Sequence, residues 1–581
     1  MAIPSASDRA NFETTKRLLA QIINEGLVSA TVEEGVVELT QRVQRHLCIR
    51  SLDSNGSYVK VNLKPNTFVD GGDDGKVRSL VLPESLEPPV IIGGEEGAKE
   101  YLSPDEVFRA ISSWFVSTVG ETAVSADRIA LELRNSADNQ KAWLDLNDPP
   151  KLLDLDCPAI NWERTLIFGH PTQTFHRLCY AEPPMEPVKP VDLPGMLAPD
   201  LAFVSVPRAD MRVVGPFEQY LKPLHEKLEV EISTAAIDEG RMIIPCFARQ
   251  VPAILLHFPN AVFIKSAEKA AYAQASMRTV SAHPDLKFDY HLKLSLGCQL
   301  TSGVRTIGSW VASAGPVFSE LLDKLLPADL WVYKEVAAAT GAQTEFRKGR
   351  HLSCILREDL EARARSINQT LIMTGALAQR PLNSDGQSYA EILFALKTDK
   401  EKKSWFAGYI ACLFKLILSP LVHHGIGMEA HSQNLVARVC LQTGQVKGFA
   451  IRDFGGIRLH MPTLESQGFG IDPSRLSPDG TAMTDDLEDV WAKVHHALLQ
   501  NHIGNLIGAM RLDINGDGWA IVREELAALL LDDDHSGAGG KKIYQFFMKE
   551  TMPFKCFLRM KMEGRYRDCI ERELPNILLP Q

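Results

Sequence analysis

The segment 423–458 constrains the fold more than any other part of the chain, because it combines clustered polar side chains with a hairpin pattern. Two apolar runs, LVARVCL and VKGFAI, flank residues 442–445, which include a glycine. Apolar and β-branched runs on either side of a short glycine-containing turn are typical of a β-hairpin. Such a hairpin would return Asp453, which follows the second run, to the side of Glu429 and Asn434, which precede the first.

Two acidic side chains and an amide that converge in this way suit a divalent metal. Carboxylate and amide oxygens are the ligands that Mg²⁺ prefers, and the metal is often shared with the phosphates of a nucleotide. The sequence therefore predicts that Glu429, Asn434 and Asp453 hold Mg²⁺ beside a bound nucleotide.

The same segment has an alternative interpretation as part of a kinase-like phosphotransferase. Residues 453–455 spell the kinase triplet DFG, and Asn434 precedes a hairpin as the kinase catalytic-loop asparagine does. However, Glu429 stands where a kinase has its catalytic aspartate. The glycines at 93–97 also have the wrong spacing for a kinase glycine-rich loop.

Composition excludes several other classes of protein. With 581 residues the chain is long enough for several domains. Its net charge of -11 argues against a nucleic-acid partner, which would favour a basic protein. An anionic substrate must then be held by local positive charge. The ten cysteines are scattered without a CxxC pair, so neither a zinc site nor a disulfide framework is expected.

The N-terminus and the apolar segments predict a cytoplasmic protein without a membrane partner. Asp8, Arg9 and Glu13 interrupt the region where a signal peptide needs an apolar core. The apolar segment 405–422 contains Lys415 and Pro420, which favours a buried helix over a membrane-spanning one.

Two turns in the middle of the chain carry positive charge next to hydroxyl groups. They are residues 276–279, with Arg278, and residues 301–305, with Arg305; Lys293 lies between them in an alternating strand pattern. Arginine supplies bidentate forks and lysine a point charge, which suits a triphosphate and a polycarboxylate. These turns are therefore predicted to belong to the same site.

Taken together, these motifs resemble the NRPS-independent siderophore synthetases of the aerobactin synthetase type. The family signature, HGI-x-x-E-x-H-x-QN followed by a hairpin and RD, stands here as His424-Gly425-Ile426, Glu429, His431, Gln433-Asn434 and Arg452-Asp453. The S-x-RT turn of the family stands at Ser276, Arg278 and Thr279.

The resemblance implies an α+β fold with a three-domain, cupped-hand architecture of thumb, fingers and palm. The palm would have a distant resemblance to protein kinases. The implied domains are 1–160 (thumb-like), 161–385 (fingers-like, with the cationic turns) and 386–581 (palm-like, with the metal and nucleotide site). A homodimer is also implied.

The implied activity is that of an ATP- and Mg²⁺-dependent ligase in siderophore or related natural-product biosynthesis. Such an enzyme adenylates a carboxylic acid such as citrate, releases pyrophosphate, and passes the acyl group to an amine or alcohol. A catalytically inactive binding protein on the same scaffold is the other alternative to the ligase.

The resemblance also assigns roles to individual residues. The residues implied to bind ATP are Ser276, Arg278, Thr279, Lys293, Arg305, His431, Gln433 and Lys555, and those implied to bind the carboxylic acid are His170, Arg177, Thr301 and Ser302. Arg305, His431 and Lys293 would be catalytic. His431 would either bind a phosphate or move a proton.

The chain departs from the family pattern at two places. Around residues 169–179 it keeps Gly169-His170-Pro171, but the next four positions that the family motif specifies hold other residues, namely Gln173, Thr174, Arg177 and Cys179. At 247–249 it has Phe247, Ala248 and Arg249 where the family usually has His-Pro-Trp. These replacements predict a different acyl donor or acceptor. Neutral sequence drift in a turn with a purely structural role would produce the same kind of replacements.

Residues 513–524 match the pattern of an EF-hand calcium loop, with Asp513, Asn515, Asp517 and Glu524 at ligand positions. A single hand without its usual partner is unusual, and an Asx-rich turn between two helices fits the same residues. The second interpretation is the one we expect.

Overall fold

The computed structural model describes residues 5–579 apart from 38–41, 54–55, 66, 68, 70, 73, 96, 116–118, 120–123, 149–150, 231–239, 302, 344, 385, 477–479, 535 and 566–569. In that part of the chain, helices and mostly antiparallel sheets follow one another from end to end. The predicted α+β class is confirmed.

The N-terminal part packs helices on a five-stranded antiparallel sheet. Its helices are α1 (Ala6–Asn24), α2 (Pro104–Ile111) and α3 (Ala126–Leu146). Its strands are β1 (Ser29–Val37), β2 (Arg42–Arg50), β3 (Tyr58–Leu63), β4 (Leu86–Gly94) and β5 (Gly97–Tyr101), paired in that order. Apolar and polar residues alternate at 59–63, a pattern that predicts a strand. Buried and half-buried residues alternate along β3, which confirms this prediction.

The middle part is richer in strands than in helices. Its helices are α4 (Ala159–Glu163), α5 (Leu193–Leu197), α6 (Phe217–Lys227), α7 (Val251–His257), α8 (Ser309–Leu325), α9 (Phe346–Gly349), α10 (Glu361–Ser366) and α11 (Thr374–Leu377). Its strands are β6 (Cys179–Ala181), β7 (Leu201–Pro207), β8 (Met211–Val214), β9 (Arg241–Phe247), β10 (Val262–Ala267), β11 (Ala271–Ala273), β12 (Thr279–Ala282), β13 (Tyr290–Leu294), β14 (Leu296–Leu300), β15 (Gly303–Arg305), β16 (Leu330–Val332), β17 (Glu335–Gly341), β18 (Ser353–Glu358) and β19 (Gln369–Met373).

The six-stranded sheet of this part positions the predicted lysine. Its strand order is β11-β12-β13-β18-β17-β8, with β13 inside the sheet. The register sets Lys293 of β13 opposite Thr279 of β12, next to the first cationic turn. Lys293 is thus fully buried on an interior strand of this sheet.

The C-terminal part continues from this sheet into a mainly helical unit. Its helices are α12 (Tyr389–Leu393), α13 (Asp399–His424), α14 (Met461–Ser466), α15 (Leu487–Val494), α16 (Gly504–Met510), α17 (Asp517–Leu530), α18 (Gly537–Phe547) and α19 (Phe557–Met562), with a π-helical stretch at His495–Ile503. Its strands are β20 (Ile426–Gly427), β21 (Leu435–Cys440), β22 (Val446–Ile451), β23 (Arg458–His460), β24 (Met483–Thr484), β25 (Thr551–Lys555) and β26 (Glu571–Pro575).

The predicted hairpin is confirmed as β21 and β22. The two strands pair antiparallel, and Gly444 in the turn between them has a positive φ of 67°. The register places Leu435 opposite Ile451, and the N–H of Arg452 donates to the carbonyl of Asn434 at 3.0 Å. Asp453 therefore returns beside the start of the hairpin, as predicted.

Helix α13 is long and apolar enough to cross a membrane by length and composition alone. It begins with a capping box formed by Thr398 and Glu401, and it ends at Gly425, which has a positive φ of 63°. One side of the helix, including Phe406, Leu413 and Ile417, packs into the hydrophobic core of the C-terminal part. This packing is the one predicted for a buried helix.

The three largest hydrophobic clusters draw on segments that are distant in sequence. Phe318 of α8 belongs to the C-terminal core, whereas Leu558 of α19 belongs to the N-terminal one. The predicted boundaries after residues 160 and 385 stay a prediction.

The apolar run at 166–168 predicts a strand that leads into Gly169, but no strand forms there, and residues 166–169 form a turn instead. Arginine side chains take up the backbone carbonyls here instead of a neighbouring strand. Arg17 donates to the carbonyls of Phe168 and His170, and Arg177 donates to those of residues 166 and 167.

The EF-hand-like segment folds as a turn and not as a twelve-residue loop. Helix α17 begins at Asp517, so the later ligand positions lie within a helix whose carbonyls are used internally. The Asp517 carboxylate also pairs with Lys403 at 2.7 Å. This geometry favours the Asx-turn interpretation.

Candidate active site

Each of the three turns of the predicted site contains a strained backbone position. Met277, Thr301 and Asp453 have positive φ angles of 61°, 60° and 65°. A non-glycine residue in this region costs on the order of 1 kcal/mol or more, and such residues concentrate at functional sites. The two cationic turns and the turn at Asp453 thus share a costly conformation.

Lys293 links the middle and C-terminal parts of the chain. Its ammonium group, which is fully buried, lies 3.0 Å from a carboxylate oxygen of Glu335 and 3.0 Å from Oδ1 of Asp453. Glu335 is itself positioned by its backbone N–H, which donates to Ser319 Oγ at 2.8 Å. A buried lysine paired with two carboxylates is a fixed point charge at the base of the cleft.

Arg278 approaches the same aspartate from the first cationic turn. Its Nη2 lies 3.6 Å from Asp453 Oδ2. Burial alone would raise the pKa of Asp453, but Lys293 and Arg278 overcome this effect and hold the pKa far below its usual range. Asp453 is therefore ionised at any physiological pH, as a metal ligand must be.

Glu429 lies on the other side of the turn that follows Asp453. Its carboxylate pairs with Lys493 of α15 and touches the backbone at Gly456, where a Cβ atom would stand 2.0 Å from Glu429 Oε2. Burial opposes ionisation of Glu429, but Lys493 and His431 lower its pKa. Only glycine at 456 leaves room for this carboxylate beside Asp453.

Asn434 completes the predicted metal set. It is buried, and its Nδ2 donates to the backbone carbonyl of Glu429 at 3.3 Å. In the described part of the chain, no group of three or more His, Cys, Asp or Glu side chains could hold a metal. A metal at this site would therefore depend on the two carboxylates Asp453 and Glu429 and on the Asn434 amide oxygen.

The two predicted histidines present the same chemistry. Nδ1 of His431 accepts the N–H of Gln433 at 3.2 Å, and Nδ1 of His170 accepts the N–H groups of Thr172 and Gln173, both at 3.3 Å. Burial lowers the pKa of His431, and burial together with His431 lowers that of His170 to about 3. Two neutral rings with occupied Nδ1 atoms carry their protons on Nε2, where they can donate to an oxyanion.

The two cationic turns meet at a small cavity of about 80 Å³. Ser276, Met277, Thr301 and Arg305 all contribute to its wall. Arg305 also lies close enough to His170 to lower its pKa. The structure thus brings Thr301, His170 and both turns together, whereas Ser302 lies outside the described residues.

Of the remaining predicted nucleotide residues, Lys555 and Gln433 lie in the C-terminal part and Thr279 lies in the first cationic turn. Lys555, at the end of β25, and Lys493 both act electrostatically on His496 in the π-helical stretch. Thr279 is buried, and its N–H donates to Ser276 Oγ at 3.3 Å, which tightens the first turn. Gln433 contributes backbone contacts through its carbonyl, which accepts from Arg452 Nη2 at 2.7 Å.

Arg177 lines the same small cavity as Thr301, but its guanidinium is occupied by contacts within the protein. Its guanidinium stacks on Trp143 at 3.9 Å and donates to two backbone carbonyls. Burial lowers its pKa to about 9. These contacts fix the turn that carries His170.

Sequence reasoning missed three residues that organise the site. Glu335 and Lys493 neutralise the predicted Lys293 and Glu429. Glu163, at the end of α4, forms a buried two-point ion pair with Arg452, and its Oε2 also accepts the N–H of Ala275 at 3.0 Å. No motif or spacing links these residues to the site, so only the fold could reveal them.

Two family models match separate parts of the chain. The model described as the IucA / IucC family matches residues 216–379. The model described as a ferric iron reductase FhuF-like transporter matches residues 403–568.

Curated relatives match at greater length. The NRPS-independent siderophore synthetase-like protein ankE of Aspergillus thermomutatus is 43% identical, and the match covers 100% of this chain and 97% of that protein. The NRPS-independent siderophore synthetase rfs of Rhizopus delemar is 29% identical over 81% of this chain and 74% of its own length. The D-ornithine--citrate ligase of Staphylococcus aureus is 24% identical over 50% of this chain and 49% of its own length.

Solved structures share the fold over nearly the whole chain. The petrobactin biosynthesis protein AsbB of Bacillus anthracis has a TM-score of 0.78 at 17% identity, covering 99% of this chain and 96% of that one. The ATP-bound aerobactin synthetase IucA of Klebsiella pneumoniae has a TM-score of 0.71 at 15% identity, with 100% of both chains covered.

Proposed function

The chain belongs to the family of NRPS-independent siderophore synthetases, and from that premise we propose that it is an ATP-dependent, AMP- and pyrophosphate-forming ligase. It joins a carboxylic acid to an amine or an alcohol in the biosynthesis of a siderophore or a related natural product. Citrate is the first acid to test, because it appears in the name of the Staphylococcus aureus relative.

One observation carries this proposal: two ionised carboxylates face each other across a turn, and each is paired with a lysine, of which Lys293 is fully buried and Lys493 is half-buried. Asp453 pairs with Lys293, and Glu429 pairs with Lys493. Carboxylates held in this way bind a divalent cation, while the surrounding cations attract phosphates. The combination suits a metal-bound triphosphate.

The donor set fits Mg²⁺ and ATP. Asp453, Glu429 and the Asn434 oxygen would hold the metal, which would supply charge neutralisation on the phosphates. Arg278 and Lys555 would bind phosphate oxygens from opposite sides of the cleft.

The chemistry then has two steps. In the first, a carboxylate oxygen of the acid attacks the α-phosphorus of ATP, the bond to the β-phosphate breaks, and pyrophosphate leaves. In the second, an amine or hydroxyl attacks the activated carbonyl, loses its proton, and displaces AMP. Arg305 and Arg278 stabilise the negative charge that develops on the phosphate oxygens.

The histidines act as hydrogen-bond donors in this scheme. Because Nδ1 of His431 is occupied by the Gln433 N–H, its Nε2 donates to an oxygen of the acid or of the phosphate. His170 does the same from the opposite wall. Of the two roles considered for His431, anion binding therefore fits better than proton removal.

The replaced family positions lie close to this anion site. Cys179 lines the cavity formed by the cationic turns, and Arg249 acts electrostatically on Cys179 and contacts Met196 at 3.2 Å in the same wall. Gln173 and Thr174 each have a buried side-chain oxygen without a partner among the described residues. Unpaired polar groups in a site discriminate strongly between substrates. We therefore propose that the acyl donor or acceptor differs from those of the best-known family members.

A kinase-like phosphotransferase is the second candidate, and one observation favours it. The triangle of Lys293, Glu335 and Asp453 resembles the lysine, glutamate and DFG-aspartate arrangement of protein kinases. This candidate would produce ADP and not AMP.

Product analysis separates the candidates. The purified chain is incubated with Mg·ATP, a panel of di- and tricarboxylic acids, and a panel of amines and alcohols, and the nucleotides are resolved by chromatography. We expect AMP and pyrophosphate in equal amounts, with an acid required. Formation of ADP would support the phosphotransferase, and neither product with any acid would support an inactive binding protein.

The finer organisation belongs to the same proposal. The three hydrophobic cores would correspond to the thumb, the fingers and a kinase-like palm, and the enzyme would work as a cytoplasmic homodimer. Sedimentation velocity at micromolar concentration tests the dimer directly, since a monomer would sediment as a 64.3 kDa species.

A further inference from the structure

A second cavity, which we call the junction cavity, lies where the three parts of the chain meet. Its volume is about 340 Å³. The N-terminal part contributes α1 and residues 82–84, and the middle part contributes the turn at 168–172. Residues 378–382, Gly386 and residues from the segment 500–509 complete the wall. The cleft residues Lys293, Arg305, His431 and Asp453 are absent from its wall.

In the described part of this wall, positively charged side chains outnumber negatively charged ones. Arg9, Arg17 and Arg380 line the cavity, and the carboxylates in the described wall are those of Glu13 and Glu84. Both carboxylates already pair with Lys16, at 2.8 Å and 2.6 Å. The carboxylates of the wall are therefore used by cations that belong to the protein.

Two of the guanidinium groups lack an anionic partner. That of Arg9 has no hydrogen bond or ion pair with the residues that the structure describes. Among the described residues, Arg380 donates to backbone carbonyls alone, those of Gly508 and Ala509, at 2.7 Å and 2.9 Å. Asp513, in the adjoining cavity, interacts with Arg380 electrostatically but is not part of this wall. In a chain of net charge -11, such a cationic cavity stands out.

The rest of the wall combines apolar side chains with neutral polar ones, which include Gln379, Gln500 and Asn501. Leu82, Phe168, Pro171, Pro381 and Leu382 line it between the arginines. A cavity of this size with apolar walls and a few convergent charged groups is typical of a small-molecule site. Arginine forks match a planar carboxylate with two parallel hydrogen bonds.

Arg17 connects the cavity to the reaction cleft. It lines the cavity, pairs with Glu13 at 2.7 Å, and donates to the carbonyl of His170 at 3.0 Å. His170 itself is absent from this wall, and it interacts electrostatically with His431 and Arg305 of the cleft. An occupant of the cavity would thus press on the turn that carries a cleft histidine.

We propose that the junction cavity is a second binding site, separate from the reaction cleft, for a small organic carboxylate held by Arg9 and Arg380. The inference does not depend on the proposed ligase activity, because it concerns binding alone.

The test uses the full chain with citrate as the probe. Calorimetry measures the binding of citrate, and hydrogen exchange locates it. Arg305→Ala serves as the background, since it weakens binding in the cleft. In this background we expect citrate to slow exchange in peptides from 168–172 and 378–386 but not in those from 276–305. Adding Arg9→Glu should weaken citrate binding at least tenfold without a change in melting temperature, because the Arg9 guanidinium loses no contact with any residue that the structure describes.

Matched variants and a second anion complete the design. Arg475→Glu reverses a charge at an exposed ion pair with Glu320 and should leave citrate binding unchanged. Arg380→Gln should weaken binding as Arg9→Glu does, even if it also lowers the melting temperature. The proposal is overturned if Arg305→Ala alone removes all citrate binding, if Arg9→Glu has no effect, or if inorganic phosphate binds as tightly as citrate.

Discussion

Replacement of Glu163 by glutamine tests how the two halves of the candidate site are held together. The Glu163 side chain is 7% exposed. One of its oxygens pairs with Arg452 Nη1, and the other accepts from Arg452 Nη2 and from the N–H of Ala275, both at 3.0 Å. Glu163 thus joins the residue before Asp453 to the residue before Ser276.

The expected loss of stability is large because a buried charge is left without its partner. Removing one member of a buried ion pair costs about 3 to 5 kcal/mol. Glutamine keeps one acceptor oxygen, but its NH₂ group would face either a guanidinium or a backbone N–H. We therefore expect Glu163→Gln to lower the free energy of unfolding by about 3 kcal/mol.

The expected effect on the site is specific to metal binding. Arg452 stays in place, because its Nε and Nη2 still donate to the Gln433 carbonyl at 3.0 Å and 2.7 Å. Its charge, no longer balanced by Glu163, acts on the adjacent Asp453 and competes with Mg²⁺ for that carboxylate. A competition of about 1.4 kcal/mol raises the Mg²⁺ concentration for half-maximal ATP binding about tenfold.

The assay combines urea unfolding with calorimetric ATP binding at a series of Mg²⁺ concentrations. Glu361→Gln is the matched control, because Glu361 Oε1 accepts the N–H of Ala159 at the start of the same helix, at 3.0 Å, without contacting Arg452. It should cost about 1 kcal/mol and leave the Mg²⁺ dependence unchanged. If Glu163→Gln behaves like this control in both measurements, the reasoning is wrong.

Four further predictions concern the metal, the cationic turn, a buried acid and calcium. Asp453→Asn should abolish Mg·ATP binding while the protein still melts cooperatively; ATP binding at wild-type affinity would remove Asp453 from the metal set. Arg305→Ala should reduce turnover by orders of magnitude, since a charge-assisted contact contributes about 1.5 to 3 kcal/mol before any transition-state effect; a change in melting temperature alone would make it a structural residue. Burial raises the pKa of Glu25 to about 7, so the folded state binds an extra proton, and stability should fall as the pH rises from about 4.5 to about 7. The difference in urea midpoint between wild type and Glu25→Gln should therefore change across that pH range. A constant difference would refute the pKa shift. Calcium should not raise the melting temperature of magnesium-free protein, whereas a saturable rise that Asp513→Ala removes would restore the EF-hand interpretation.

The sequence could predict the parts of the site that follow one another along the chain. The hairpin at 435–451 was predictable because its apolar runs and glycine turn are local signals, and it alone brings Asp453 back to Asn434. The strand that carries Lys293 was equally local. The family signature then assigned these residues to one cleft.

The partners of these residues could not be predicted, because they come from distant segments. Glu335 lies 42 residues from Lys293, and Glu163 lies 289 residues from Arg452. A single glutamate in a strand or at the end of a short helix has no pattern that points to its partner. The strand expected before Gly169 failed for a related reason, since arginines from other elements satisfy the backbone there.

The exchange of labelled pyrophosphate into ATP, measured without any amine or alcohol, tests the central claim most directly. Reversible adenylation of a carboxylic acid at the Asp453 and Glu429 site predicts exchange that requires both Mg²⁺ and an acid, and that Asp453→Asn abolishes. Failure of every acid to support exchange, while ADP accumulates, would contradict the ligase account.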